Sequence, residues 1–188
     1  MLEQPAPESS ALWDSFRGRA NTKDLLLEKA RIVASLIESS SDVRVVVDAA
    51  FKDKSQKMSP DQGRVVIAET AILLIRLADE IAFRVLPAEE RNIFTQQLQE
   101  SVTCVLADSG TDPADFVELL EKRLTEYDQY KSWVPARDES AKGTLLWEFA
   151  KNLATTVNLG KNALFNVALG NLLLRNVERW QLQELLHG

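Results

Sequence analysis

One histidine, one cysteine, two methionines and two tyrosines are spread over 188 residues, and that scarcity removes most common catalytic chemistries. His187 stands next to the last position. No internal imidazole is therefore available for a Ser–His or Cys–His nucleophile pair, or for histidine general acid–base work. With Cys104 alone, the chain closes no internal disulfide and builds no thiolate cluster. Zinc sites of the usual His/Cys kind lack their ligands, and the Glu-x-x-His pairs of a di-iron bundle do not occur. Cys104, set among Val102, Val105 and Leu106, is expected to act as a small core residue. Glycine is equally thin. Gly160 and Gly170 stand alone, without a following Lys-Ser/Thr, so no phosphate-cradling loop is present. No motif calls for a cofactor or a bound metal.

Basic charge is also short. Lysine and arginine total 22 against 28 aspartates and glutamates, a net charge of −6. The bases are interleaved with acids, as in Glu121-Lys122-Arg123 and Glu178-Arg179. A surface that neutralises phosphates needs a basic stripe, so a nucleic-acid partner is not expected. No apolar run approaches the roughly 18 residues of a membrane span. Residues 1–21 lack a basic segment followed by an apolar run, so no secretory signal is read there and the cytoplasm is the expected location.

What the chain does hold is helical periodicity. Residues 1–21, rich in Pro, Ser and Glu, read as a flexible N-terminal arm, and residues 22–188 as a single helical domain. Inside the arm, Leu12, Trp13 and Phe16 form an apolar cluster that either tacks the arm onto the domain or docks on a partner. Leu26, Ala30, Val33 and Ile37 share a face, predicting a helix over 22–39. In 43–54 the valines alternate as in a strand, but no segment offers a partner strand, so a helix is expected. Ser59-Pro60-Asp61-Gln62 has capping-box spacing with proline at the first helical position. Pro87-Ala88-Glu89-Glu90 and Asp112-Pro113-Ala114-Asp115 open two more helices with acids at the positive end of the dipole. The expected helices are 60–86, 88–108, 113–132, 140–158 and 162–186, with Gly160 capping between the last two. The fold class is therefore all-α: a compact bundle of about seven helices around the long apolar helix 60–86.

Into that central helix the sequence sets Glu69, Arg76, Asp79, Glu80 and Arg84. Arg76 to Asp79 is three residues, Arg76 to Glu80 and Glu80 to Arg84 are four, and Glu69 lies two turns before Arg76 on the same face. A solvated or subunit-facing ladder is the plain expectation; a buried set would be a binding site. The helix is otherwise apolar on nearly all sides, with Leu73, Leu77 and Phe83 opposite Ile67, Ala71 and Leu74.

Three functions are compatible with this inventory. A non-enzymatic helical interaction or regulatory protein, acting as a homodimer or on another protein, needs only surfaces. Tyr127, Tyr130 and Trp133 offer one such surface, or else seal the bundle against Trp147 and Phe149. The apolar last helix offers a self-association face. A small-molecule binder would use an apolar cavity with the Arg76/Glu80/Arg84 group as its charged anchor. A Mg²⁺-dependent carboxylate enzyme acting on a phosphorylated substrate would use Asp79, Glu80 and Glu69. Glu118 and Glu121 supply only half of the paired carboxylate motif such enzymes place on facing helices, and Asp108, Asp112 and Asp115 read as caps and turn residues.

Overall fold

Several helices start where the chain supplies an acceptor for its own first-turn N–H groups. Ser59 closes a full capping box with Gln62, each side chain bonding the other's backbone, and Pro60 follows at the first position. Asp112 accepts from the N–H groups of Ala114 and Asp115, Thr144 from that of Trp147, and Asn162 from that of Phe165. These bonds satisfy donors that have no partner inside their own helix.

The computed structural model describes residues 8–130, 143–160 and 162–187, with the side chains of 8–21, 38–40 and 179 left aside. The helices are α1 Glu8–Ser35, α2 Ser40–Asp53, α3 Pro60–Val85, α4 Ala88–Asp108, α5 Pro113–Tyr127, α6 Leu145–Thr156, α7 Ala163–Trp180 and α8 Leu182–His187. A short 3-10 turn, Leu36–Ser39, joins α1 to α2. No strand occurs among the described residues, so the class is all-α. No helix among them is long and apolar enough to cross a membrane.

Helix α3 is the axis. It packs against α2, α4, α5, α6 and α8, and every residue from Ala68 to Ile75 is buried. A helix touched from all directions cannot spare a polar face, which is why its sequence is apolar nearly all round. Phe83 departs from that pattern: it is 68% exposed, near the helix end where the neighbours fall away, and the Arg91 guanidinium lies 5.0 Å from its ring centre. Leu26, Ala30 and Val33 of α1, and Ile37 in the 3-10 turn that follows, are buried as their spacing requires. In α2, Val43 and Val47 are buried while Val45 faces out, which explains a strand-like alternation inside a helix.

Other boundaries differ from the sequence expectation for identifiable reasons. The backbone is helical from Glu8 rather than from about residue 22. Helix α5 stops at Tyr127, and α6 starts only after the Thr144 cap. The expected last helix is two helices, because Gln181 takes a left-handed conformation (φ 48°). That break lets Trp180, Leu182 and Leu186 all reach the core. In one continuous helix, residues two apart point roughly 200° away from each other. Lys29 of α1 then donates to the Leu186 carbonyl at 2.9 Å, tying α8 to α1. Helix α6 ends in a Schellman arrangement with Asn158 (φ 62°) at its left-handed position, its N–H bonding Thr155 O and that of Leu159 bonding Ala154 O, while Gly160 (φ 70°) makes a second positive-φ turn before α7. Cys104 is exposed, contrary to expectation. The buried face of α4 is Phe94, Leu98, Val102 and Leu106, and a residue midway between the last two points outward.

Candidate functional site

The charges of α3 do not act as one ladder. Glu69 and Arg76 face α5, whereas Asp79, roughly 60° round the helix from Arg76, faces α4. Arg76 lies 3.6 Å from Glu80 and 3.6 Å from Asp128 just past α5, and Arg84 bonds Glu80 at 2.6 Å. Asp79 turns instead to Arg91, which donates from Nε at 2.8 Å and from Nη2 at 2.7 Å, one bond to each oxygen, while Thr95 adds a third at 3.0 Å. That bidentate bond and the neighbouring negative charge hold the Arg91 pKa above its ordinary value, against the downward pull of burial.

Glu69 is the deepest of the set, with no solvent exposure at all. Arg123 of α5 donates to it from Nε at 2.9 and 3.0 Å and from Nη2 at 2.6 Å. The remaining guanidinium N–H groups reach Glu126 at 2.6 Å and Thr156 of α6 at 3.1 Å, and Asn152 donates to Glu126 at 3.3 Å. Burial pulls the Arg123 pKa down, but the bonds and charge of Glu69 and then Glu126 outweigh it and push it upward. The cluster is a satisfied junction of α3, α5 and α6, in the arrangement that makes a buried charge tolerable.

Arg123 has a signal in the sequence. Phe116, Leu120 and Tyr127 are the buried face of α5, and Arg123 falls in phase with them. A charge on an apolar face requires a partner from another helix. Arg91 and Thr95 carry no comparable sign, since they flank the buried Phe94 on a mixed surface.

Of the aromatic residues offered as a surface, Tyr127 is fully buried and belongs to the core, because its ring completes the α5 apolar face. Tyr130 is half-buried against that core. Trp133 lies outside the described residues. The backbone at Leu12, Trp13 and Phe16 is part of α1, and their side chains are outside the described set.

The acids considered for Mg²⁺ are not brought together: Glu69 goes to Arg123, Asp79 to Arg91, and Glu80 to its two arginines. Among the described residues, no three histidine, cysteine, aspartate or glutamate side chains form a group placed to hold a metal ion. Glu118 and Glu121 are exposed on α5.

Among the described residues, three recesses that open to solvent bear on the site. One of about 330 Å³, between α3 and α4, has Asp79, Arg91 and Thr95 in its wall, the latter two both donating to Asp79. A second of about 400 Å³ lies between the starts of α3 and α5, floored by Val65, Ala68 and Phe116. The third, of about 540 Å³, lies between α6 and the start of α7. Trp147, Lys151 and Thr155 line it at successive turns of α6, and Asn162 and Asn166 line it from the other side. The chain matches no protein-family model, no curated protein and no solved structure.

Proposed function

We propose that this protein works by binding rather than catalysis, as a cytoplasmic helical interaction protein that pairs with a second copy of itself through the outer face of α7. The observation that supports it most is the character of that face. Leu164 is 82% exposed and Val167 50% exposed, and Ala163, Ala168 and Asn171 are exposed beside them. From Ala163 to Leu174 the helix carries no charged side chain. The outer face of a surface helix is normally charged, and an uncharged apolar one marks an association surface.

Net charge argues for the same place. Two copies, each at −6, repel over most of their surfaces, and an uncharged face is where that repulsion is smallest. A twofold pairing buries the same patch on both subunits at once. The exposed, unpaired Cys104 suits a reducing compartment. The charged residues of α3 and α5 serve the fold in this reading, leaving recognition to surfaces.

Light scattering on the full chain at micromolar concentration and moderate salt tests the proposal. The expected mass is twice 21.1 kDa, falling to the single-chain value when Leu164 and Val167 are both changed to Glu. A wild-type protein that runs at the single-chain mass overturns it.

A further inference from the structure

Among the recesses, the one between α6 and α7 is distinguished by an unmet polar group. Asn166 stands in its wall, 7% exposed, and its Oδ1 has no hydrogen-bond donor. A buried acceptor without a partner is costly, and the cost is removed when something supplies a donor. The terminal amide torsion is soft, so a donor entering the recess engages Oδ1 by a turn of that group.

The opposite polarity lies next to it. Helix α7 begins at Ala163 behind the Asn162 cap, which uses its side chain on the Phe165 N–H. Asn162 and Ala163 both line the recess, so the positive end of this 18-residue helix borders the same space. Lys151 lines the recess from α6, half-exposed, and is paired with Glu148, whose side chain is largely buried. Thr155 donates its hydroxyl proton to the Lys151 carbonyl, which leaves its oxygen lone pairs for a donor from outside. The rest of the wall is apolar: the Trp147 indole, Ala154 and Ala163. The volume, about 540 Å³, is within the range of small-molecule sites, which are apolar with a few placed polar groups.

From this juxtaposition we infer that the α6–α7 recess is a binding site for a small carboxylate that carries a hydroxyl or amine beside the carboxyl group and an apolar body. The carboxylate sits between Lys151 and the N-terminus of α7. The adjacent O–H or N–H satisfies Asn166 Oδ1, and the apolar body lies along Trp147. This site does not rest on the self-association face: neither Leu164 nor Val167 lines the recess, and of the residues named for that face only Ala163 borders both.

The test uses the ¹⁵N-labelled full chain and three probes in NMR titrations. These are 3-phenyllactate, 3-phenylpropionate (which lacks the hydroxyl) and 2-phenylethanol (which lacks the carboxylate). At millimolar concentration, 3-phenyllactate is expected to shift the amides of Lys151, Thr155, Ala163 and Asn166, and each of the other probes to bind about tenfold more weakly. Lys151→Gln, a change at a half-exposed position, is expected to weaken both carboxylates and leave 2-phenylethanol unchanged. Asn166→Leu is expected to abolish the preference for the hydroxyl while raising Tm in the absence of probe, because it removes an unmet buried acceptor. Absence of shifts at these amides with all three probes overturns the inference. So does a hydroxyl preference that survives Asn166→Leu, or carboxylate binding indifferent to Lys151→Gln.

Discussion

Arg123 of α5 grips the carboxylate of Glu69 on α3 through three hydrogen bonds of 2.6 to 3.0 Å, at a point no solvent reaches. The two residues are 54 positions apart in sequence. The pair pins the central helix to α5, and through Thr156 to α6.

Removing one partner strands the other. Glu69→Ala is expected to cost about 3–5 kcal/mol, and Arg123→Ala a similar amount, because each leaves an uncompensated buried charge. The double variant Glu69→Leu/Arg123→Met is expected to be far less destabilised than the two costs added together, since apolar groups of similar volume replace the pair without desolvating any charge. Urea denaturation of the three variants measures this. Additive losses in the double variant would mean that the pair does not act as a unit.

The Asp79–Arg91 bridge makes the same kind of contact nearer the surface, with 22% and 32% of the two side chains exposed. Water and salt screen it. Arg91→Ala is expected to cost about 1 kcal/mol, which shrinks further in high salt. Arg84→Ala, at the exposed end of the Glu80 pair, is expected to change stability by less than about 0.5 kcal/mol. Denaturation midpoints at two ionic strengths rank the three sites by depth.

Gln62 has two tasks. Its carbonyl oxygen accepts from the Ser59 N–H at 2.8 Å, and its amide donates to the Val157 carbonyl at 2.9 Å, joining the start of α3 to the end of α6. Ser59→Ala loses only the cap and is expected to cost about 1 kcal/mol. Gln62→Ala loses the cap partner and the interhelical bond, so a larger loss is expected, measured in the same urea series. Equal losses would mean the Val157 bond contributes nothing.

Burial pushes the Tyr127 phenol upward from its ordinary value of 10.0, and the Glu69 charge adds to it. The folded chain thus holds this proton more tightly than the unfolded chain. Its contribution to stability is complete below the unfolded pKa and is lost as pH rises above about 10. Wild-type stability measured over roughly pH 8 to 11 is expected to fall more steeply than that of Tyr127→Phe. The substitution itself should be close to neutral at pH 7, because the hydroxyl lies near Asn152 without reaching hydrogen-bond geometry. Parallel curves for the two proteins would contradict the assignment.

The all-α class, the caps at Ser59 and Asp112 and the central place of helix 60–86 were legible in the sequence because they rest on local physics. Helical spacing decides which residues share a face, and a cap bonds N–H groups two or three residues away. The same local rule foresaw the pairing of Arg76 and Arg84 with Glu80, each four residues from it along one helix.

Choice of partner across helices was decided only by the tertiary structure. Asp79 lies three residues from Arg76, yet it bonds Arg91, because its side of α3 faces α4. Glu69 pairs with Arg123, which spacing along α3 could not reveal. The break at Gln181, the outward turn of Cys104 and the recess beside Asn166 have the same origin. Periodicity orders the faces of a single helix, whereas what each face meets depends on how the helices lie against one another. That arrangement is set by the sum of many side-chain contacts between residues far apart in the chain.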